Sequence, residues 1–224
     1  LRPEALPAAS PFLLAWFLSP WLKRWIARKP QVRRLDLGPS EKLEFRGYAR
    51  LTWRFFETFG TAEGNWRAPD NLQEDPLPGV AHRTSPTNIG LQLLSTAAAY
   101  DLGYLGHEEL LDSVEKTFAS LAKLPVLHGH FFNWYDTRTL QPLHPRYVST
   151  VDSGNLAGQL LTFKQFLLEM GRGPRSNAQG RDGVQDTLLQ LEKELSQVEG
   201  ARSVLDAASL AIKLCQKLDE GSWL

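Results

Sequence analysis

Ser85-Pro-Thr-Asn-Ile-Gly-Leu-Gln-Leu-Leu-Ser-Thr-Ala-Ala-Ala-Tyr-Asp-Leu-Gly103 is the stretch on which the fold turns. Ser85 can offer its hydroxyl oxygen to the open N–H groups of a helix start, and Pro86 suits the first helical position, where no N–H is needed. Ile89, Leu93, Ala97 and Tyr100 then fall three or four apart and predict one buried stripe, which Gly103 ends. The small Ala97-Ala98-Ala99 cluster lets a neighbouring helix come close. Only a few residues later Leu110, Val114, Phe118 and Leu121 mark a second stripe. So short a connection predicts an antiparallel helical hairpin.

The same periodicity extends outward in both directions. Tyr48, Leu51, Phe55 and Phe59 predict a helix before the hairpin, starting near Glu41 and stopped by Gly60. After it come Leu156, Leu160, Phe163, Leu167 and Met170, closed by Gly171 to Pro174. Arg175 to Asp182 reads as polar loop. Val184, Leu188, Leu191, Leu195 and Val198 form a further stripe, with Gly200 as punctuation. Val204, Ala208, Ala211, Cys215 and Leu218 form another. The fold class expected is mainly α, built of antiparallel helical hairpins. Core packing accounts for each stripe.

Between the hairpin and the helix from Leu156 runs His128-Gly-His-Phe-Phe-Asn-Trp-Tyr-Asp-Thr-Arg-Thr-Leu140. Phe131, Phe132, Trp134 and Tyr135 favour extended backbone. Asp136 to Thr139 reads as a turn, because an Asp side chain bonds backbone N–H groups just ahead of it. Leu140 to Val151 is extended or irregular, and Asp152 or Ser153 is expected to cap the next helix. The product is one small β hairpin that delivers polar and aromatic groups to a helix N-terminus. Two accounts of it stand side by side. In one the aromatics are core and Asp136 pairs with Arg138 to hold the turn. In the other the hairpin is a wall of a carbohydrate cleft, with Trp134 or Tyr135 against a sugar ring and Arg138, Asp136 and His130 bonding its hydroxyls. Zinc is poorly served by His128, His130 and His144: residues two apart on a strand face opposite sides, and no acidic ligand has a recognised spacing.

The chain has 224 residues, 25 basic and 25 acidic, so a general attraction to nucleic acid is not expected. The single Cys215 precludes an internal disulfide and suits a reducing compartment. Pro11 to Ser19 is apolar but too short to span a bilayer, and Pro20 is expected to interrupt it. Trp21, Leu22, Trp25 and Ile26 continue the apolar character beside Lys23, Arg24, Arg28 and Lys29. That pattern suits a segment at the cytoplasmic membrane surface, and equally an amphipathic helix docked on the domain. The basic residues follow the apolar run, which argues against a cleavable signal. Gln31 to Ser40 reads as a linker. The expected division is residues 1–40 as a membrane-proximal amphipathic segment and 41–224 as the main domain. Thr61 to Arg83 is a long loop, rich in Pro, Gly, Asn and Asp, of the kind that carries function.

Five stretches, in order, resemble cyclic β-1,2-glucan synthases. They are Trp53-Arg-Phe-Phe-Glu57, Pro69-Asp-Asn-Leu-Gln-Glu74, Ala81-His-Arg-Thr-Ser-Pro-Thr-Asn-Ile-Gly90, Gly129-His-Phe-Phe-Asn-Trp-Tyr-Asp-Thr-Arg138 and Pro145-Arg-Tyr-Val-Ser-Thr-Val-Asp-Ser-Gly-Asn-Leu-Ala-Gly158. Pro11 to Pro30 is similar to the segment that leaves the last membrane helix of the synthase's glycosyltransferase part. The resemblance implies a piece of a very large, multi-pass protein of the bacterial inner membrane, on its cytoplasmic face. In that family a glycosyltransferase builds β-1,2-glucan from UDP-glucose, with a divalent metal in that separate domain. A middle domain, an (α/α)6 toroid similar to glucoamylase-like proteins and endo-β-1,2-glucanases, closes the chain by retaining transglycosylation. A phosphorylase-like domain trims it.

On this reading residues 41–224 are the N-terminal half of the toroid, about three hairpins of six, forming one wall of the glucan cleft. Retaining chemistry needs two carboxyl groups flanking the bond. The family's glutamates lie further along, so no catalytic residue, cofactor or metal ligand is assigned here, and the parent is an enzyme whose fragment alone is expected to be inactive. Glu74, Asp136 and Asp152 are the best local carboxylates. Cleft loops and helix N-termini point to Asn88, His130, Trp134, Asp136, Arg138 and Asp152 as sugar contacts, supported by Arg83, Arg146 and Asn155. The partners implied are the glucan chain, the remainder of the parent polypeptide and, through residues 11–29, the membrane surface. Rival classes are a non-catalytic carbohydrate-binding module and a structural adaptor between membrane and catalytic domains.

Overall fold

Ser85 caps its helix as its chemistry requires, the hydroxyl oxygen accepting the N–H of Asn88 at 3.2 Å. A computed structural model of the chain describes residues 6–27, 36–75, 79–172, 177–198 and 200–219. Its elements in order are α1 (Leu6–Ile26), α2 (Pro39–Phe59), a short 3-10 turn (Ala62–Gly64), β1 (Leu72–Gln73), β2 (Gly79–Val80), β3 (Arg83–Thr84), α3 (Pro86–Leu102), α4 (His107–Leu121), β4 (Val126–Leu127), β5 (His130–Phe131), β6 (Tyr135–Asp136), α5 (Thr150–Met170), α6 (Asn177–Leu195) and α7 (Arg202–Asp219). The fold is mainly α, and among the described residues there are three two-stranded antiparallel ribbons, β1–β2, β3–β6 and β4–β5, where one small hairpin was expected. Residues 1–38 and 39–224 form separate compact units.

In the first unit α1 runs unbroken through Pro11 and Pro20, where an interruption at Pro20 was expected. A proline costs a helix one N–H donor and leaves the carbonyl four residues back without its bond. Here the serine before each proline takes over. Ser10 Oγ donates to the Pro7 carbonyl at 3.0 Å, and Ser19 Oγ to the Trp16 carbonyl at 2.7 Å. Phe12, Trp16, Phe17, Trp21, Trp25 and Ile26 are all exposed. Among the described residues no helix is long and apolar enough to cross a membrane. Gln31 to Leu35 of the expected Gln31–Ser40 linker, and Arg28 and Lys29 of the basic cluster, lie outside the described residues, and the linker's last two residues, Pro39 and Ser40, instead open α2.

The second unit is centred on α3. Ile89, Leu93, Ala97 and Tyr100 are buried as the periodicity demands, and Gly103 closes the helix in the left-handed region at φ 93°. One apolar cluster joins Ile89 to Leu124, Tyr135, Leu140 and Leu156; a second joins Leu93 and Ala97 to Phe163. Both therefore bind α3 to α5. Tyr135 has no exposed surface, and its hydroxyl donates to the Pro125 carbonyl and accepts the Phe132 N–H, each at 2.7 Å. That bond pair turns an aromatic of the predicted strand into the pin of the 125–135 loop.

The outer helices depart from expectation in their facing. On α2 the buried aromatic is Trp53, while Tyr48 and Leu51 are exposed. On α6 Val184 and Leu191 are exposed, as is Val198 beyond its end, and among its described side chains the buried positions are Gly183 and Asp186. On α7 Ala208 and Ile212 are buried and Val204 is exposed; the side chain of Leu218 lies outside the described residues. The cause on α6 is polar. Asp186 takes two bonds from Arg46 of α2, at 3.1 and 2.8 Å, and one from the Tyr104 hydroxyl at 2.9 Å. Arg46 also donates to the Leu102 carbonyl at 2.9 Å. A three-residue polar lock outranks an apolar stripe in choosing the inward face. Asn177 to Asp182, expected as loop, is the first part of α6; residues 173–176 lie outside the described residues.

Candidate functional site

The N-termini of α3 and α5 meet, and their first turns are stitched together by side chains. Ser149, and neither Asp152 nor Ser153, caps α5: its Oγ accepts the Asp152 N–H at 3.1 Å. The serine starts the helix two residues before Asp152, which corrects the expected cap and frees the Asp152 carboxylate. One carboxylate oxygen accepts from Thr87 Oγ1 of α3 at 2.6 Å. The other accepts the Asn133 amide at 2.9 Å, with the amide turned so that its own oxygen takes the Trp134 indole N–H and the Tyr147 hydroxyl, both at 2.7 Å. Asn155, in the second turn of α5, donates to Thr87 Oγ1 at 3.1 Å.

Asp70 anchors the other end of this network. Its Oδ2 accepts from Arg83 Nε at 3.1 Å and Nη2 at 2.9 Å, and its Oδ1 accepts the Asn88 amide at 2.9 Å. Arg83 in turn lies over the Trp134 ring, 4.6 Å from guanidinium carbon to centroid. Five of the residues chosen from sequence, Arg83, Asn88, Trp134, Asp152 and Asn155, are thus one hydrogen-bonded and stacked assembly. Asp70, Thr87 and Asn133 complete it and were not chosen. Asp70 and Thr87 stand in the Pro69–Glu74 and Ala81–Gly90 stretches, and Asn133 precedes Trp134, so position in the motifs held the signal. Trp134 is half-buried, and its role is neither pure core nor free platform: Arg83 occupies one side of the ring.

Burial pushes the Asp152 carboxyl up, but the hydrogen bonds from Ser149, Thr87 and Ser85 outweigh it and hold the group below the ordinary carboxylate range. A depressed folded pKa means that the ionised form is favoured by folding. Its stabilisation is complete above the unfolded value of ~3.9 and is lost as pH falls through the lower folded value. Acid unfolding followed by tryptophan fluorescence should therefore shift to a less acid-sensitive profile in Asp152→Asn, with lower stability at neutral pH. An unchanged acid limb would remove Asp152 from this account.

The remaining choices fall elsewhere. Asp136 serves the turn, its Oδ1 accepting the N–H groups of Arg138 and Thr139 at 2.8 Å each. Its backbone pairs with Arg83 across β3–β6, a pairing the local hairpin pattern did not reveal. Arg138 does not pair with Asp136: its guanidinium donates to Glu63 at 3.3 Å and to His82 Nε2 at 2.8 Å. It borders a cleft of about 360 Å³ lined also by Phe59, Glu63, Arg67, Val80 and Thr137. His130 is exposed in β5 and Arg146 is exposed, and neither joins the assembly; Glu74 is exposed beyond β1. His130 pairs through its backbone with Leu127 in the β4–β5 ribbon. Among the described residues no three metal-ligating side chains gather. Asp70 and Asp152 are both committed as multiple acceptors. Each carboxylate therefore holds neighbouring side chains in place, Asp70 those of Arg83 and Asn88, Asp152 those of Thr87 and Asn133.

No family model matches the chain. It is 42% identical over 197 residues to the cyclic β-(1,2)-glucan synthase NdvB of Rhizobium meliloti strain 1021, covering 87% of this chain. The chain spans about 7% of that relative's length. A solved Bacteroides fragilis structure assigned as a glucoamylase aligns with 84% of this chain and 37% of its own, at 18% identity and a TM-score of 0.38, too slight to carry an argument.

Proposed function

We propose that this chain is part of a cyclic β-1,2-glucan synthase and forms one wall of the glucan cleft in the domain that cyclises the glucan by retaining transglycosylation. The observation that carries the reading is the 42% identity over 87% of the chain. The matched family stretches also supply the assembly at the α3 and α5 N-termini, which gives them a common purpose. In this reading residues 39–219 are a portion of an (α/α)6 toroid, α3 and α5 are inner helices, and the acid and nucleophile come from elsewhere in the parent. UDP-glucose and any divalent metal belong to the parent's glycosyltransferase domain. The exposed aromatics of α1, with Lys23 and Arg24 in its last turn, suit the cytoplasmic surface of a bacterial inner membrane.

The roles at the cleft follow from chemistry. Asp70 fixes Arg83, Arg83 steadies one face of Trp134, and Asn133 orients the indole edge; the uncovered part of the ring is left to a glucosyl unit. Asn88, Asn155 and the outer N–H groups of Arg83 supply hydroxyl partners. The test is Trp134→Ala in the intact cyclisation domain. Loss of one stacking face should cost about 1–2 kcal/mol of binding to long linear β-1,2-glucan. Loss of the Arg83 stack should cost about 1 kcal/mol of stability. A collapse of melting with unchanged affinity in the folded fraction would place Trp134 in the core and refute the assignment.

A further inference from the structure

Arg67, in the loop between the 3-10 turn and β1, has no exposed surface, and it is the largest side chain so completely buried among the described residues. Its Nη2 donates to the Thr117 carbonyl of α4 at 2.6 Å, while Nε and Nη1 are buried without a partner. Among the described residues no carboxylate comes within ion-pair distance of it. Burial alone pulls the guanidinium down to about 10, so it keeps its charge at neutral pH. A charge taken out of water is costly unless a group of opposite sign meets it.

Such a group has room to enter. Arg67 lines the cleft of about 360 Å³ together with Thr61, Glu63, His82, Thr137 and Arg138. That volume is at the small end of ligand sites, roughly 300–1,000 Å³. With Arg67 wholly buried, and the Arg138 and Glu63 side chains 51% and 74% exposed, the cleft has a cation at its floor and an ion pair at its rim. Arg138 spends only Nη2 on the protein, on Glu63 at 3.3 Å and His82 Nε2 at 2.8 Å. Two guanidinium groups therefore face one carboxylate, and one positive charge is left over. Asn65 ties the two walls together, its Nδ2 donating to the Thr137 and Arg138 carbonyls at 2.9 and 2.8 Å. Asn65 and Trp66 both stand in the left-handed region, at φ 51° and 59°, a strain that this tie holds in place.

We propose that this cleft binds a small oxyanion, a phosphate or carboxylate group, between the guanidinium groups of Arg67 and Arg138. Nη2 of Arg67 stays on the Thr117 carbonyl, and Nε and Nη1 take the oxygens. The rigid donor fork of arginine matches the spacing of phosphate and carboxylate oxygens, and bonds between ions are the strong class of hydrogen bond. One anion cancels the surplus charge, and the exposed Glu63 is free to swing from Arg138 as it enters. The site stands apart from the assembly at the α3 and α5 N-termini: none of Arg83, Asn88, Trp134 and Asn155 lines it.

The experiment titrates the 224-residue chain with inorganic phosphate and, separately, with acetate, reading melting temperature and heat of binding. Ionic strength is held constant with sodium chloride, and glycerol is the neutral comparison. At least one anion should raise the melting temperature where chloride and glycerol do not. Arg67→Met keeps the length of the side chain and should weaken that anion about ten-fold or more, the worth of one lost charged hydrogen bond. Its melting without anion should not fall, because the charge it removes has no carboxylate partner. Arg138→Gln should weaken the anion less and leave anion-free melting nearly as it was, since an exposed pair contributes little. Should Arg67→Met fail to fold, Arg138→Gln decides: reduced affinity supports the site and unchanged affinity overturns it. No rise with either anion overturns the proposal. So does affinity that survives Arg67→Met, which puts the ion elsewhere, and so does an equal rise with glycerol, which makes the occupant a neutral hydroxyl compound. None of these readouts depends on Trp134 or on glucan.

Discussion

Asp186→Ala is expected to destabilise the 39–224 unit by about 3–5 kcal/mol, the range for removing one partner of a buried ion pair. The Asp186 side chain is 3% exposed and Arg46 25% exposed. Deleting the carboxylate leaves the guanidinium with the Leu102 carbonyl and a distant Asp182 at 4.0 Å. The Tyr104 hydroxyl shares its one proton between Asp186 and the Arg46 carbonyl at 3.0 Å, and without Asp186 it is left with the carbonyl alone. Burial first, and the Asp186 charge second, push the Tyr104 phenol up, so it stays a neutral donor at all ordinary pH and cannot compensate. Urea unfolding monitored by circular dichroism measures the loss. Asp186→Asn, which keeps the shape and one acceptor, should lose less than Asp186→Ala. A loss below about 1 kcal/mol, the size of an exposed pair, would show that the lock does not hold α6.

Phe163→Ala should cost a similar amount, about 3–5 kcal/mol, for a different reason. The ring is 2% exposed and packs against Leu93 and Ala97 of α3. It also meets Phe118 of α4 at 6.5 Å and Phe166 at 5.8 Å between centroids. Truncation opens a cavity between three helices that other contacts already fix in place, so little can relax into it. Differential scanning calorimetry should report a large fall in melting temperature, whereas Phe163→Leu should recover most of it. If Phe163→Ala melts within a few degrees of the unaltered chain, the α3–α4–α5 junction is not the core.

The contrast between these two sites explains how far the sequence could be read. Where burial is purely apolar, periodicity is sufficient: Ile89, Leu93, Ala97, Tyr100, Leu156 and Phe163 are inward as their spacing demands. Where a charge pair or a small residue sets the facing, periodicity misleads. Asp186 and Gly183 of α6 carry no apolar signal, yet they are the buried positions, and Val184 beside them is exposed. The candidate site divides in the same manner. Arg83, Asn88, Trp134, Asp152 and Asn155 were legible because helix N-termini and aromatic motifs announce themselves. Asp70 was not, because what makes it central is a contact with Arg83 thirteen residues away. His130 and Arg138 belong to the same motif as Trp134, but His130 pairs with Leu127 in β4–β5 and the Arg138 guanidinium reaches Glu63 and His82, and register between two-residue strands leaves no periodic trace.

The polar attachment of α6 has a consequence for how the unit opens. α6 and α7 contact each other more extensively than α6 contacts α2 or α3. A hairpin with its own internal contacts, tied to α2 through polar bonds to Asp186, Thr187 and Glu194, can detach as a cooperative block without melting the α3–α5 core. Native-state hydrogen exchange should therefore show amides of α6 and α7 sharing one opening free energy below that of α3. Salt that weakens the Arg46–Asp186 tie should accelerate exchange across that block together, while protection at Leu93 and Phe163 stays unchanged.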